Sequence, residues 1–196
     1  MPRFCGAYFF QQLFLHHHSM VKFLDEEIFL EKEPISYFTI DLPFGAGRGL
    51  YYKNTLLSLE YLTTSTNKDL YIKENENLFD LPVIDSKNQK YIRNELLSAY
   101  YNDQPVNLYL KGTPFQINVW KHLAQIKKGS LISYEKFAEI CATRNSVRAV
   151  ASAVAKNRIT LLLPCHRVIY KNGKYGRYGW GDKLKVQLIK SETESE

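Results

Sequence analysis

The feature that most constrains this chain is a change of pattern at Gly112-Thr113-Pro114. Downstream, Phe115, Val119, Leu123 and Ile126 recur at i, i+4, i+8 and i+11, which is one face of a helix, and Lys127-Lys128-Gly129 offers a basic last turn and a glycine stop. Ser133 is a suitable N-cap for a second helix that buries Phe137, Ile140 and Cys141. A third helix beginning near Ser146 carries Val147, Val150, Ala151 and Val154 on one side. Two short helices joined by a tight turn after a longer one suggest a helix-turn-helix. The opposite side of the third helix presents Ala149, Ser152, Ala153 and Lys156, with Arg148 near the N-terminus, where the helix dipole attracts phosphate. Small residues of this kind let a helix approach a groove closely, although an alanine-rich packing helix has the same composition.

Upstream of the boundary the pattern is different. Residues 35–75 read as short extended segments, Phe38-Thr39-Ile40 and Leu56 to Leu62, separated by Pro43, Gly45, Gly47 and Gly49. That pattern predicts a small antiparallel sheet, and Ile92, Leu96 and Leu97 predict a helix over 86–102. Internal repeats and low-complexity tracts are absent from the sequence. With 45% hydrophobic residues, the chain can fill packed cores, which excludes wholesale disorder.

No apolar run approaches the roughly 20 residues that cross a bilayer, so no membrane partner is expected. The stretch Tyr8 to Leu15 is largely aromatic and apolar, but Gln11 and Gln12 interrupt it and no small-residue cleavage site precedes His16, His17 and His18. Residues 1–20 are therefore read as an extension without an assigned role. Cys5, Cys141 and Cys165 are too few and too scattered for a disulfide scaffold, and none forms a C-x-x-C pair, which favours a reducing, cytoplasmic setting, or a nuclear one in a eukaryote. Charge is divided unevenly: residues 112–196 hold 15 Lys and Arg against 6 Asp and Glu, a net +9, whereas residues 1–111 hold 11 against 14, a net −3. The basic half is the candidate polyanion binder.

The most specific stretch is Leu161-Leu162-Leu163-Pro164-Cys165-His166-Arg167-Val168-Ile169, read as a buried extended segment that delivers a cysteine followed by a histidine. A thiol is a strong nucleophile only as thiolate, so it needs a base, a positive charge or a helix dipole nearby. Neighbours on an extended chain point opposite ways, so proton transfer between Cys165 and His166 calls for a water. A cysteine beside a histidine is on its own weak grounds for catalysis, because most single cysteines are inert buried hydrophobes.

In its setting, however, Pro164-Cys165-His166-Arg167-Val168, preceded by Arg148-Ala149-Val150 and Asn157, resembles the O6-alkylguanine-DNA alkyltransferases, also called methylated-DNA-protein-cysteine methyltransferases. The resemblance covers roughly residues 112–192. It includes Gly112-Thr113-Pro114-Phe115-Gln116 with Val119-Trp120, Ile132-Ser133-Tyr134, and Tyr178-Gly179-Trp180-Gly181 before a terminal helix ending in Glu192. It implies an α+β fold: residues 21–111 form a support domain with a small antiparallel sheet (ribonuclease H-like) and helices, and residues 112–196 a mostly helical winged helix-turn-helix domain that binds DNA and carries the chemistry. Residues 21–111 resemble the family only loosely, through Leu42-Pro43-Phe44-Gly45 and a following strand.

The implied activity is single-turnover DNA repair, in which the alkyl group on O6 of a flipped-out guanine moves to Cys165, with O4-methylthymine as a candidate second substrate. His166 is then the base acting through a water, Glu192 orients it, and Asn157 ties the turn before the cysteine. Tyr134 crowds the backbone phosphate and is a candidate proton donor to the departing guanine, while Arg148 fills the gap in the stack. Gln116, Ala149, Ser152 and Lys156 are the further DNA-facing candidates, and Val168, Tyr178, Gly179 and Trp180 wall the base pocket. The family writes the turn after Asn157 with prolines where Arg158 and Thr160 stand here, which leaves its rigidity open. Double-stranded DNA bearing alkylated guanine is the expected partner of a monomeric protein. No metal, cofactor or small-molecule methyl donor is expected, and the cysteine ligands of the structural zinc held by some members are missing. Three rivals stand beside this reading: a helix-turn-helix regulator, which leaves the cysteine segment unexplained; a lesion-binding relative, which lacks an acceptor cysteine; and a cysteine hydrolase, for which no oxyanion-hole glycine signature is found.

Overall fold

Alternation along the strands decides how the sheet is covered. In β2 (Ile35–Leu42), Ile35 and Tyr37 enter one apolar cluster while Phe38, Ile40 and Leu42 enter another, the period of two that a strand imposes. Both faces are therefore buried. The computed structural model describes residues 21–29, 31–65, 67–141 and 147–194. The aromatic N-terminal stretch, the three-histidine run, Cys5 and the expected helix start at Ser146 lie outside the described residues.

Strands β2, β3 (Gly45–Tyr52) and β4 (Thr55–Tyr61) form the antiparallel meander that the sequence predicts. The sheet is nevertheless larger and mixed. With β1 (Val21–Leu24), β5 (Val83–Asp85) and β6 (Val106–Tyr109) it has six strands in the order β1-β6-β4-β3-β2-β5, and the β1-β6, β4-β6 and β2-β5 pairs are parallel. Two helices cover it. α1 (Lys68–Phe79) brings Tyr71 to one cluster, and α2 (Gln89–Asn102) brings Ile92, Leu96, Ala99 and Tyr100 to the other.

Two expectations change here. Residues 68–75, read as extended, belong to α1, whose start is set by Asn67, its side chain accepting from Leu70 N at 2.9 Å. Gly45, Gly47 and Gly49, read as separators, lie inside β3. At Gly49 the reason is contact: a Cβ there would sit 2.4 Å from Ser58 O and 2.5 Å from Phe38 Cζ. The glycine lets the Phe38 ring come close to the neighbouring backbone.

The second half follows the helical reading in its elements, although Val147 is exposed and Ile140 only half-buried. α3 (Pro114–Leu123) opens on a capping box in which Thr113 Oγ1 accepts from Gln116 N and Gln116 Oε1 accepts from Thr113 N. It ends before Lys127-Lys128-Gly129, because Gln125 N and Ile126 N bond three residues back to His122 O and Leu123 O and tighten the chain. α4 (Tyr134–Ile140) is capped by Ser133, whose Oγ accepts from Lys136 N at 3.2 Å. α5 (Val147–Ala155) packs on α3, where Trp120 Nε1 donates to Ala153 O at 2.8 Å. Ala153 is thus buried instead of lying on the outer face, and Ala155 takes its place there. α6 (Asp182–Thr193) closes the chain, and a short parallel pair joins β7 (Ile132–Ser133) to β8 (Val168–Ile169). One apolar cluster runs from Val21 to Leu188 through both halves. No helix among the described residues is long and apolar enough to cross a membrane.

Strand β4 leaves β6 after Leu56. Its free edge is taken by the turn after α5: Leu59 N donates to Arg158 O and Thr160 N to Leu59 O, both at 2.8 Å. This splayed edge fixes where the cysteine segment begins. For Gly49→Ala, a urea melt is expected to show a loss of about 1–3 kcal/mol, since the added methyl overpacks a closed contact.

Candidate active site

The segment leading to Cys165 is buried but not extended. Leu161 has φ +66°, Leu162 N bonds Thr160 O at 2.7 Å, and Leu163 N bonds Ile159 O at 3.2 Å, so the chain folds into consecutive turns. Cys165–Arg167 then forms one turn of 3-10 helix. A left-handed leucine costs on the order of 1 kcal/mol or more. Burial of Leu161, Leu162 and Leu163 in the core offsets it.

Asn157 organises this turn. Its Oδ1 accepts from Ile159 N at 2.9 Å, which aims Nδ2 at Leu163 O (2.8 Å), Ile159 O (3.2 Å) and the sulfur of Cys165 (3.2 Å). The turn that lacks the family's prolines is therefore held by hydrogen bonds. Cys165 itself is buried. Burial pushes its pKa up, while the Asn157 amide, the Lys185 ammonium and the Tyr178 hydroxyl pull it down.

Behind the cysteine lies a buried charge cluster. Glu192 Oε1 lies 3.0 Å from His166 Nε2, and Arg167 grips the same carboxylate with two bonds, Nε to Oε2 at 2.8 Å and Nη2 to Oε1 at 2.9 Å. Tyr100 of α2 donates to Oε1 at 3.3 Å. Although burial alone would raise the Glu192 pKa, bonds from His166 and Arg167 bring it down to about 2. Burial also depresses the His166 pKa, so the ring is neutral at pH 7. An ionised Glu192 can only accept, so the His166 proton sits on Nε2 and the lone pair on Nδ1. Nδ1 is buried and has no hydrogen-bond partner among the described residues. Its lone pair is therefore open to accept a proton.

Lys185 is buried about two helical turns before Glu192 on α6 and donates to Val168 O at 2.7 Å. Burial lowers its pKa to about 8, with Cys165 and Asp182 opposing the shift. Lys185, Leu188, Ile189 and Glu192 thus form an inward stripe at i, i+3, i+4 and i+7 with a charge at each end. Arg167, Lys185 and Tyr100 were not foreseen. That stripe was readable in the sequence, whereas Tyr100 gives no signal beyond its place on a helix.

In front of the cysteine opens a cavity of about 280 Å³. Of the expected residues, Tyr134, Asn157, Cys165, Tyr178, Gly179 and Trp180 line it; Val154, Ala155, Arg177 and Glu60 join them unforeseen. Val168, read as pocket wall, is fully buried behind Cys165 between Ile132 and Lys185. The Tyr178 hydroxyl is 3.0 Å from Thr160 Oγ1, and its ring meets Trp180 edge-on at 5.2 Å. Trp180 also leans on Tyr61 of β4, with ring centroids 6.3 Å apart. Burial and the nearby Cys165 raise the Tyr134 pKa to about 12, so it holds its proton at neutral pH.

On α5, Arg148, Ser152 and Ala155 fall at i, i+4 and i+7 on the exposed side, with Lys156 just beyond the helix and Ala149 half-buried. Because Ala155 borders the cavity, this face and the Cys165 opening are continuous. Gln116 does not line the cavity, and its side-chain oxygen is engaged in the α3 cap.

Comparison with known proteins gives a consistent picture. Residues 114–194 match the family model described as the DNA-binding domain of 6-O-methylguanine DNA methyltransferase. A probable methylated-DNA-protein-cysteine methyltransferase of Acanthamoeba polyphaga mimivirus is 35% identical over 135 residues, covering 65% of this chain and 90% of that protein. The bifunctional transcriptional activator/DNA repair enzyme Ada of Escherichia coli is 39% identical over 110 residues, which is 55% of this chain but only 31% of the Ada protein. Among solved structures, the Mycobacterium tuberculosis O6-methylguanine methyltransferase aligns with a TM-score of 0.66 at 29% identity, covering 83% of this chain and 94% of that one. The same organism's protein in complex with DNA aligns at 0.64 over 81% and 93%.

The charge cluster sets an acid limit. His166, whose folded pKa lies below 6.5, contributes stability at higher pH that is lost as the pH falls below 6.5. Glu192, lowered from 4.5 to about 2, withdraws about 3 kcal/mol more between those values. The melting temperature is expected to fall steadily from pH 6.5 to pH 3. In Glu192→Gln it should start lower, because Arg167 loses its counter-charge, and the part of the slope below pH 4.5 should flatten.

Proposed function

The chain belongs to the methylated-DNA-protein-cysteine methyltransferase family, and from that premise we propose that it repairs O6-alkylguanine in double-stranded DNA by taking the alkyl group onto Cys165. The observation that carries this reading is the cavity in which the sulfur, the Asn157 amide, Tyr134 and Tyr178 meet beside the exposed face of α5. Its 280 Å³ suits one flipped nucleobase at the small end of the usual range of pockets.

In this reading residues 112–196 act as a winged helix-turn-helix unit with α5 in the minor groove, where small residues permit close approach without sequence preference. Residues 21–111 act as a ribonuclease H-like support. Arg148 replaces the extruded base in the stack, Tyr134 presses on the phosphate, and Ala149, Ser152, Lys156 and Gln116 contact the backbone. The unstacking cost of a few kcal/mol is met by contacts in the pocket, where Tyr178 stacks on the base.

The chemistry is an in-line displacement. A water bridging Cys165 Sγ to His166 Nδ1 carries the thiol proton to the ring while Glu192 and Arg167 hold Nε2–H in place. The sulfur lone pair forms the S–C bond as the C–O6 bond breaks, and the electron pair returns to the guanine. Tyr134, protonated at pH 7, supplies the proton the leaving base takes up. The product thioether is a poor leaving group, so each molecule reacts once as a monomer, with no methyl donor.

Two measurements test this. Incubation with an oligonucleotide containing O6-methylguanine is expected to add about 14 Da to the intact protein, on Cys165, with no gain in Cys165→Ser. Tight lesion binding without a mass gain would favour the lesion-binding rival instead. Trp180, wedged between Tyr178 and Tyr61, narrows the pocket, so O6-benzylguanine is expected to react more slowly than O6-methylguanine and Trp180→Gly to narrow that gap. Equal rates for the two adducts in the parent protein would remove the assigned role of Trp180.

A further inference from the structure

The N-terminal sheet layer meets the turn before Cys165 through the backbone of β4 and through the Arg158 side chain. We propose that Arg158 is a positioning residue for alkyl transfer, clamped by Asn75 of α1 and Glu60 of β4 so that Asn157 keeps its amide on the Cys165 sulfur. This rests on the transfer reaction proposed above and gives the support layer a part in it.

The geometry forms an unbroken chain of contacts. Arg158 Nη2 donates to Asn75 Oδ1 at 2.9 Å, and its Nε lies 3.5 Å from Glu60 Oε1. Asn75 is fully buried and anchored in turn by Nδ2 on Tyr71 O at 2.7 Å. The second Glu60 oxygen lies 3.6 Å from Arg48 Nη2, and Arg48 Cζ lies over the Tyr71 ring, 3.7 Å from its centroid. The backbone of Arg158 accepts from Leu59 N, so backbone and side chain are both tied to the sheet. Next in sequence is Asn157, whose Nδ2 is 3.2 Å from the sulfur.

Two physical points make this more than packing. Residues 157–160 contain no proline, so the turn gets from a clamp the stiffness that a ring would supply covalently. Asn75 Oδ1 is a buried acceptor for which Arg158 supplies the donor, and a charge-assisted bond to a fixed amide is directional. An ion pair between exposed ends would contribute little, but Glu60 is 18% exposed and shared by two arginines. A side chain held in this way fixes the backbone next to Asn157, and Asn157 is the only amide side chain on the thiol among the described residues.

The test is single-turnover transfer from an O6-methylguanine duplex at saturating and subsaturating DNA, using the full chain. Arg158→Ala is expected to lower the rate constant at saturation about tenfold and to leave the half-saturating DNA concentration within about twofold, because the clamp acts on the reacting sulfur and not on the duplex. Arg158→Lys, which keeps a donor for Asn75, should recover most of the rate. A second readout is Cys165 labelling by iodoacetamide across pH. The groups facing the thiol, His166, Lys185, Tyr134 and Tyr178, are unchanged in Arg158→Ala. Its labelling profile should nonetheless move to higher pH, as the Asn157 bond to the sulfur weakens. A lower melting temperature with unchanged rate constant and unchanged labelling profile would make Arg158 merely structural and overturn the proposal. If the parent protein itself gained no methyl, the transfer reading would fail first, and the labelling profiles would still decide whether the clamp acts on the thiol.

Discussion

The site depends on one carboxylate. Glu192 receives a histidine, the Nε and Nη2 groups of an arginine, and a tyrosine hydroxyl, the first two from the cysteine turn and the last from α2. A buried arginine without a counter-charge is strongly destabilising, by about 3–5 kcal/mol where such pairs have been broken. Arg167 therefore cannot leave, and the turn that bears Cys165 cannot drift from α6. The same carboxylate fixes the histidine tautomer. By accepting at Nε2 it directs the unprotonated Nδ1 away from itself, so one anion serves as tether, orienter and proton-placing device.

Much of this was legible in the chain. The i, i+4, i+8 spacing from Phe115 gave α3, and Ser133 behaved as the expected cap; Thr113, read only as a boundary, caps α3 for the same reason, because Ser and Thr oxygens satisfy the first free backbone N–H groups whatever the tertiary setting. Local rules failed where a distant partner decided the outcome. Gly49 looks like a separator until Phe38 lies over it, and Ala153 looks exposed until the Trp120 indole needs its carbonyl. The run Leu161-Leu162-Leu163 has strand composition but coils into turns, because Asn157 collects the carbonyls of Ile159 and Leu163. The parallel strands at the sheet's ends were missed for the same reason: β1, β5 and β6 are four residues or fewer and acquire strand character from their neighbours.

A buried nucleophile has two opposed needs, and the arrangement around Cys165 meets both. In the proposed reaction an extruded base is enclosed to exclude water, yet enclosure disfavours the thiolate and pushes the thiol pKa up. A formal ion pair at the sulfur would stabilise the anion so well that its nucleophilicity would fall with its pKa. The chain instead surrounds the sulfur with weaker aids: one amide hydrogen at 3.2 Å, a lysine occupied with Val168 O, and a neutral imidazole whose lone pair awaits the proton. In the proposed reaction the thiolate then forms when the alkyl carbon is in place, so a reagent that reacts once is kept from reacting early. Such weak aids work only if their directions are fixed. In that reaction the rigidity of the turn after α5, pinned to the free edge of β4, is part of the chemistry.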